Sequence, residues 1–196
     1  MLLESLAAGA QAHHQAEPQP VMTEAQFQAF YAETARPLRS YIRRIGGDSA
    51  QTDDILQEAY LRLLRAPRLK QDPTLMRAYV YRVATNLITD HWRRTAREAR
   101  WVCESHSDPD FQERPAVSAS AEESLLLRRD LARVFQQLRP SDRSLLWLAY
   151  VEGSEHREIA AILGIKETSI RVLLFRARQK LLRILRRRGL GLEVKS

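Results

Sequence analysis

Apolar residues recur along this chain at three- and four-residue spacing, the interval of an α-helix, and nowhere as the strict alternation of a half-buried strand. The first run opens at Thr23, where Thr23 and Gln26 form a capping-box pair ahead of Phe27, Phe30 and Tyr31. It extends to about Ile45 and stops at Gly46 and Gly47, and Pro37 predicts a kink or a break within it. Asp48 can cap a second helix from about Ser49 to Leu64, with Ile55, Leu56, Ala59, Tyr60 and Leu63 on its inner face. After a loop from Pro67 to Pro73, Thr74 is placed to cap a long helix reaching about Trp101, with Met76, Val80, Val83, Leu87 and Ile88 at helical spacing. Ser120 and Glu123 predict a helix through Leu138, and Pro140 and Ser141 start another that ends at Gly153.

The expected fold is all-α: two small helical domains joined by a flexible linker. The first domain spans residues 23–101 and the second 122–189, with a flexible extension over 1–22 and a tail over 190–196. The linker, residues 102–121, rests on a break in composition. From Cys103 to Glu123 there are six acids against the single base Arg114, together with Pro109 and Pro115.

The richest segment begins at Ser154: SEHREIAAILGIKETSIRVLLFRARQKLL. Two helices meet there at Gly164, a position where only glycine takes a positive φ without strain. Ile159, Leu163, Ile165, Ile170 and Leu173 are apolar where crossed helices would pack, and Ala160 is small where they would approach. This is a helix-turn-helix pattern, whose second helix enters the major groove. Its groove-facing positions are Lys166, Glu167, Thr168, Arg171 and Val172. An ordinary αα-hairpin with a basic solvent face is the bland alternative.

Charge supports a polyanionic partner. The net charge is +7 and the pI about 10.0, and from Arg171 to Arg188 there are eight Lys or Arg and no acid. A second group, Arg93, Arg94, Arg97 and Arg100, lies some eighty residues earlier. The single cysteine, Cys103, excludes an internal disulfide and fits a reducing cytoplasm. The first ten residues carry no Lys or Arg, unlike a signal peptide, so a cytoplasmic location is expected.

Two further stretches complete the picture: DDILQEAYLRLLR (Asp53 to Arg65) and YVYRVATNLITDHWRR (Tyr79 to Arg94). Together with REIAAILGI and RARQKL in the second half, and in this order, they resemble a bacterial RNA polymerase sigma factor of the extracytoplasmic-function class, sigma-70 family. The resemblance covers roughly residues 25 to 185, with the linker interrupting it. It implies that the first domain binds core RNA polymerase and opens the minus-ten element, while the second reads the minus-thirty-five element. Asp53, Asp54, Gln57 and Glu58 lie on the polar side of their helix, and the resemblance assigns the polymerase clamp contact to Asp54, Gln57 and Glu58. It places Asn86 near a flipped minus-ten base, with Arg82, Arg93 and Arg94 on phosphates and a base pocket in the loop from Pro67 to Thr74. Trp92 is expected in the core rather than as a stacking platform, and Asp90 as an ion-pair partner of a nearby Arg. In the last helix, Lys166, Thr168, Ser169 and Arg171 fall at the groove, while Arg176 and Arg178 fall on phosphates. Arg186, Arg187 and Arg188 are either a phosphate grip or a solvated end. At Val172 and Leu173 the chain departs from the family, where many relatives carry a small polar residue followed by Arg.

Core RNA polymerase, promoter DNA in duplex and melted form, and an anti-sigma factor (often membrane-anchored in this family) are the implied partners. A stand-alone helix-turn-helix regulator, with its first domain used for dimerisation or sensing, is the rival reading. It would not need the Asp53 to Arg94 match. No cofactor, metal or catalytic group is expected. Cys103 and His106 have ligand spacing but too few companions for zinc, and no phosphate-binding glycine loop or nucleophile–base pattern is present.

Overall fold

The computed structural model describes residues 22–46, 51–66, 72–101 and 129–189. Among them are seven helices and no strand: α1 (Glu24–Gly46), α2 (Thr52–Leu64), α3 (Pro73–Trp101), α4 (described over 129–136), α5 (Pro140–Tyr150), α6 (His156–Leu163) and α7 (Glu167–Arg187). The N-terminal extension, the loop over 67–71, the linker with Cys103, and the start of α4 lie outside the described residues. Helix α2 opens at Thr52 behind Gln51, about three residues later than expected, so its cap position is Gln51 and not Asp48.

The local signals act much as the sequence suggests, with corrections. At the start of α1 the capping box is closed in both directions. The Thr23 N–H donates to Gln26 Oε1 at 2.9 Å, and the Gln26 N–H donates to Thr23 Oγ1 at 3.2 Å. Pro37 neither splits nor ends α1. Thr34, Leu38, Tyr41 and Ile42 are buried on both sides of it, and that packing outweighs a proline cost of roughly 3 kcal/mol. The long helix starts two residues earlier than expected. Asp72, not Thr74, is its cap: the Asp72 carboxylate accepts from the N–H groups of Thr74 and Leu75 at 2.8 and 3.3 Å. Pro73 then fills the first position, where no N–H is needed.

Helices α1, α2 and α3 pack on one another around Leu38, Tyr41, Ile45, Leu56, Leu63, Val80 and Ile88. Helices α5, α6 and α7 pack around Leu148, Ile159, Ile162, Ile170, Leu174 and Ala177. Gly164 ends α6 in the left-handed region (φ 67°, ψ 35°), and the N–H of Ile165 reaches back to the Ala160 carbonyl at 3.1 Å. Ile165, expected in the seam between the helices, follows this turn and is exposed. Ile162 and Leu174 take that place, with Leu163 and Leu173 only partly covered.

The two halves also dock, with α3 against α6 and α1 against α5. Arg77 on α3 holds Glu152 at 3.0 Å and also bonds Glu158 on α6. Glu152 further accepts from the Tyr81 hydroxyl at 2.7 Å and from the Trp147 indole N–H at 2.9 Å. Gln136 donates to the Arg44 carbonyl at 3.0 Å. Arg143, 1% exposed, lies with its guanidinium carbon 5.3 Å from the centre of the Trp92 ring. Its Nε and Nη1 have no hydrogen-bond partner among the described residues.

Candidate nucleic-acid interface

Three surfaces carry the residues singled out from the sequence. On α2, Asp54 and Gln57 are exposed, and Glu58 is half-covered with its carboxylate on Arg62 at 2.6 Å. Asp53 is drawn aside by Arg39 of α1, 3.0 Å away, which leaves Asp54 as the outward acid of the pair. Leu61 and Leu64, both exposed, continue the same side of the helix one and two turns on. The sequence reading missed them. Acidic and amide side chains followed along one helix side by exposed apolar ones have the composition of a protein-binding patch rather than of a solvated face.

On α3, Arg82, Asn86 and Arg93 are exposed and recur at four- and seven-residue spacing, so they line one side of the helix. Arg94 is exposed about a quarter-turn round from Arg93. Arg77 and Tyr81 project from a different side, so docking of the second half leaves the Arg82–Asn86–Arg93 line open. Asp90 does pair with Arg93, at 3.7 Å on an exposed surface. An ion pair of that kind is worth at most about 1 kcal/mol and yields readily to a phosphate. Trp92 corrects the expectation of a core residue: it is 39% exposed, its ring covering Arg143 of the other half.

On α7 the inward residues Ile170, Leu174 and Ala177 fix the helix against α5 and α6, so its remaining sides face out. Lys166, Thr168, Arg171, Arg176 and Arg178 are exposed, and Ser169 is half-buried. Arg171 and Arg178, seven residues apart, run along one flank and Arg176 along the other. Lys180 is engaged elsewhere, on Asp142 of α5 at 2.6 Å.

Burial, not site chemistry, accounts for the perturbed ionisations. It pushes the Tyr41 and Tyr60 phenols up to about 12. Burial, then the Glu152 charge, moves Tyr81 in the same direction. Burial pulls the Arg77 guanidinium down, but Glu158, Tyr81 and Glu152 overcome it and hold it above its ordinary value. Arg143 has no such partner, and burial lowers it to about 10. Among the described residues, no three His, Cys, Asp or Glu side chains gather as a metal site. No helix there is long and apolar enough to cross a membrane.

Among the described residues, which are all-helical, a basic helix-turn-helix and a second, Arg/Asn-lined helix are surfaces of the kind that a nucleic acid covers. Comparison with known proteins gives the family. The profile of sigma-70 region 2 matches residues 30–98, and that of sigma-70 region 4 matches residues 128–181. The ECF RNA polymerase sigma factor SigL of Mycobacterium tuberculosis is 34% identical over 145 residues, covering 73% of this chain and 79% of its own. CarQ, an RNA polymerase sigma factor of Myxococcus xanthus, is 27% identical over 159 residues, covering 81% and 88%. Among solved structures, the sigma factor RpoE of Bartonella quintana, in complex with the anti-sigma factor NepR, superposes with a TM-score of 0.62. It is 21% identical and covers 82% of this chain and 96% of its own. CnrH, in complex with the cytosolic domain of CnrY, gives 0.59 at 22% identity, covering 84% and 90%. This chain belongs to the sigma-70 family of RNA polymerase sigma factors, in its extracytoplasmic-function class.

Proposed function

We propose that this chain joins core RNA polymerase and directs it to promoters, dividing the work between its two halves. The observation that carries this reading is the presence, in order on one chain, of regions 2 and 4 of the sigma-70 family. A stand-alone regulator has no need of the first. Asp54, Gln57 and Glu58, with Leu61 and Leu64 beyond them along the helix, form the polymerase-binding patch on α2. Opposite charge at its N-terminal end sets orientation and association rate, and the apolar C-terminal end contributes affinity.

Asn86 receives an unstacked minus-ten base, since an amide both donates to and accepts from a base edge. Arg82, Arg93 and Arg94 hold the melted strand by its phosphates. Residues 23–101 carry both tasks, and residues 122–189 read the minus-thirty-five duplex. There Lys166, Thr168, Ser169 and Arg171 lie at the groove, while Arg176 and Arg178 grip phosphates without adding sequence information. The protein performs no bond chemistry of its own and acts in the cytoplasm, where its polymerase is. The sigma factor RpoE was solved in complex with the anti-sigma factor NepR, and an anti-sigma factor is the corresponding partner here.

The test is co-purification with core polymerase followed by run-off transcription on genomic fragments. Core binding with initiation at a discrete set of sites is expected. Duplex binding that never involves core would transfer the chain to the regulator class.

A further inference from the structure

The outward side of α7 is not wholly polar. With Ile170, Leu174 and Ala177 turned inward, helical geometry puts Thr168, Val172, Phe175 and Leu182 on the opposite side. Val172 is 50% exposed and Phe175 55%, and this apolar line runs between the Arg171/Arg178 flank and Arg176. No acid follows Glu167 in the helix, so the setting is one that a polyanion covers. Leu173, the other departure from the family pattern, is half-buried against the core and unavailable for contact.

Val172 is the sixth residue of α7, within the first two turns that a recognition helix presents to base edges. An isopropyl group can neither donate nor accept a hydrogen bond, so it is blind to the ring nitrogens, carbonyls and amino groups of the bases. The one apolar feature that base pairs display in the major groove is the C5 methyl of thymine. Resting on the assignment of α7 as the duplex-reading helix, we propose that Val172 is a specificity-determining residue that selects a thymine in the minus-thirty-five element through its methyl group. A small polar residue at this position would offer a base edge a hydrogen bond, whereas Val172 offers only apolar contact.

The experiment uses the full chain with core polymerase. A pool of duplex promoters randomised across the minus-thirty-five element is enriched for binding. In the winning sequence each thymine is then replaced singly by deoxyuridine, which lacks only the methyl. At one position the wild-type complex should lose about fourfold in affinity, the worth of one buried methyl-sized group. Val172→Ser and Val172→Gln, both at an exposed site and the second a good helix former, should bind thymine and uracil equally there while keeping wild-type core affinity. Equal binding of thymine and uracil by the wild type at every position overturns the proposal. So does an unchanged ratio in both variants, or a stripe that protects against protease only when a second protein is bound. A core complex that enriches no duplex sequence at all would instead sink the promoter-reading function itself.

Discussion

At the scale of single residues, the exposed Asn86 and Arg171 separate affinity from information. Asn86 is exposed, and under the proposed function Asn86→Ala would remove a base-edge contact worth about 1–3 kcal/mol without opening a core. Open-complex formation should fall by tenfold or more, with core binding unchanged; a permanganate footprint beside a core pull-down reads both. Arg171→Ala should relax the preference for one minus-thirty-five base by a similar amount, and an enrichment profile identical to wild type would remove Arg171 from the groove.

The buried phenols make a different prediction. Tyr41, Tyr60 and Tyr81 have folded values raised above the ordinary 10 by burial. They therefore stabilise the fold fully below about pH 10; for Tyr41 and Tyr60 that contribution is lost as pH rises through about 12, and for Tyr81 only at higher pH. Arg143 runs the other way, since its folded value is lowered to about 10 and its burial cost fades above that pH. Three phenols outweigh one guanidinium, so the urea midpoint should drop steeply between about pH 10 and 12.

At the scale of elements, the turn between α6 and α7 depends on one backbone conformation. A Cβ at Gly164 would meet nothing within 4 Å, but the residue sits at φ 67°. Gly164→Ala should therefore cost about 1–2 kcal/mol through the backbone alone, visible as a lowered melting temperature with duplex affinity reduced in step. Helix existence and inner faces were legible because burial imposes a 3.6-residue period on the residues themselves: Met76, Val80 and Val83 announce α3, and Ile159 and Ile170 the crossing of α6 and α7. Cap chemistry was legible at Thr23 and Gln26, where both partners of the box are present, and misplaced at Thr74, because Asp72 stands two residues earlier and Pro73 between them suits the first helical position. The break expected at Pro37 does not occur, because the proline's cost is set locally and its compensation is tertiary. Among site residues, the exposed cations of α7 could be placed from the alternation with Ile170, Leu174 and Ala177. The apolar end of the α2 patch was not singled out: Leu61 and Leu64 fall outside the inner face of Ile55, Leu56, Ala59, Tyr60 and Leu63, but only the fold shows that they stay exposed.

At the scale of the whole molecule, none of the contacts between halves was readable, because Arg77, Glu152 and Glu158 lie some eighty residues apart and obey no period. Glu152 and Glu158 keep little of their side-chain surface in water, at 7% and 15%. Arg77→Ala would leave two poorly hydrated carboxylates unpaired, weakening the docked arrangement by roughly 3 kcal/mol. The radius of gyration by small-angle X-ray scattering should increase, and an unchanged radius would show that packing between α1 and α5 suffices. The same seam has an optical consequence. Trp92 lies over Arg143 and Trp147 donates to the carboxylate that Arg77 holds, so two of the chain's three indoles stand where the halves meet. Separation of the halves on a polymerase would bathe both rings in water and shift their emission to longer wavelength, giving the protein a built-in fluorescent gauge of its own posture that needs no attached dye.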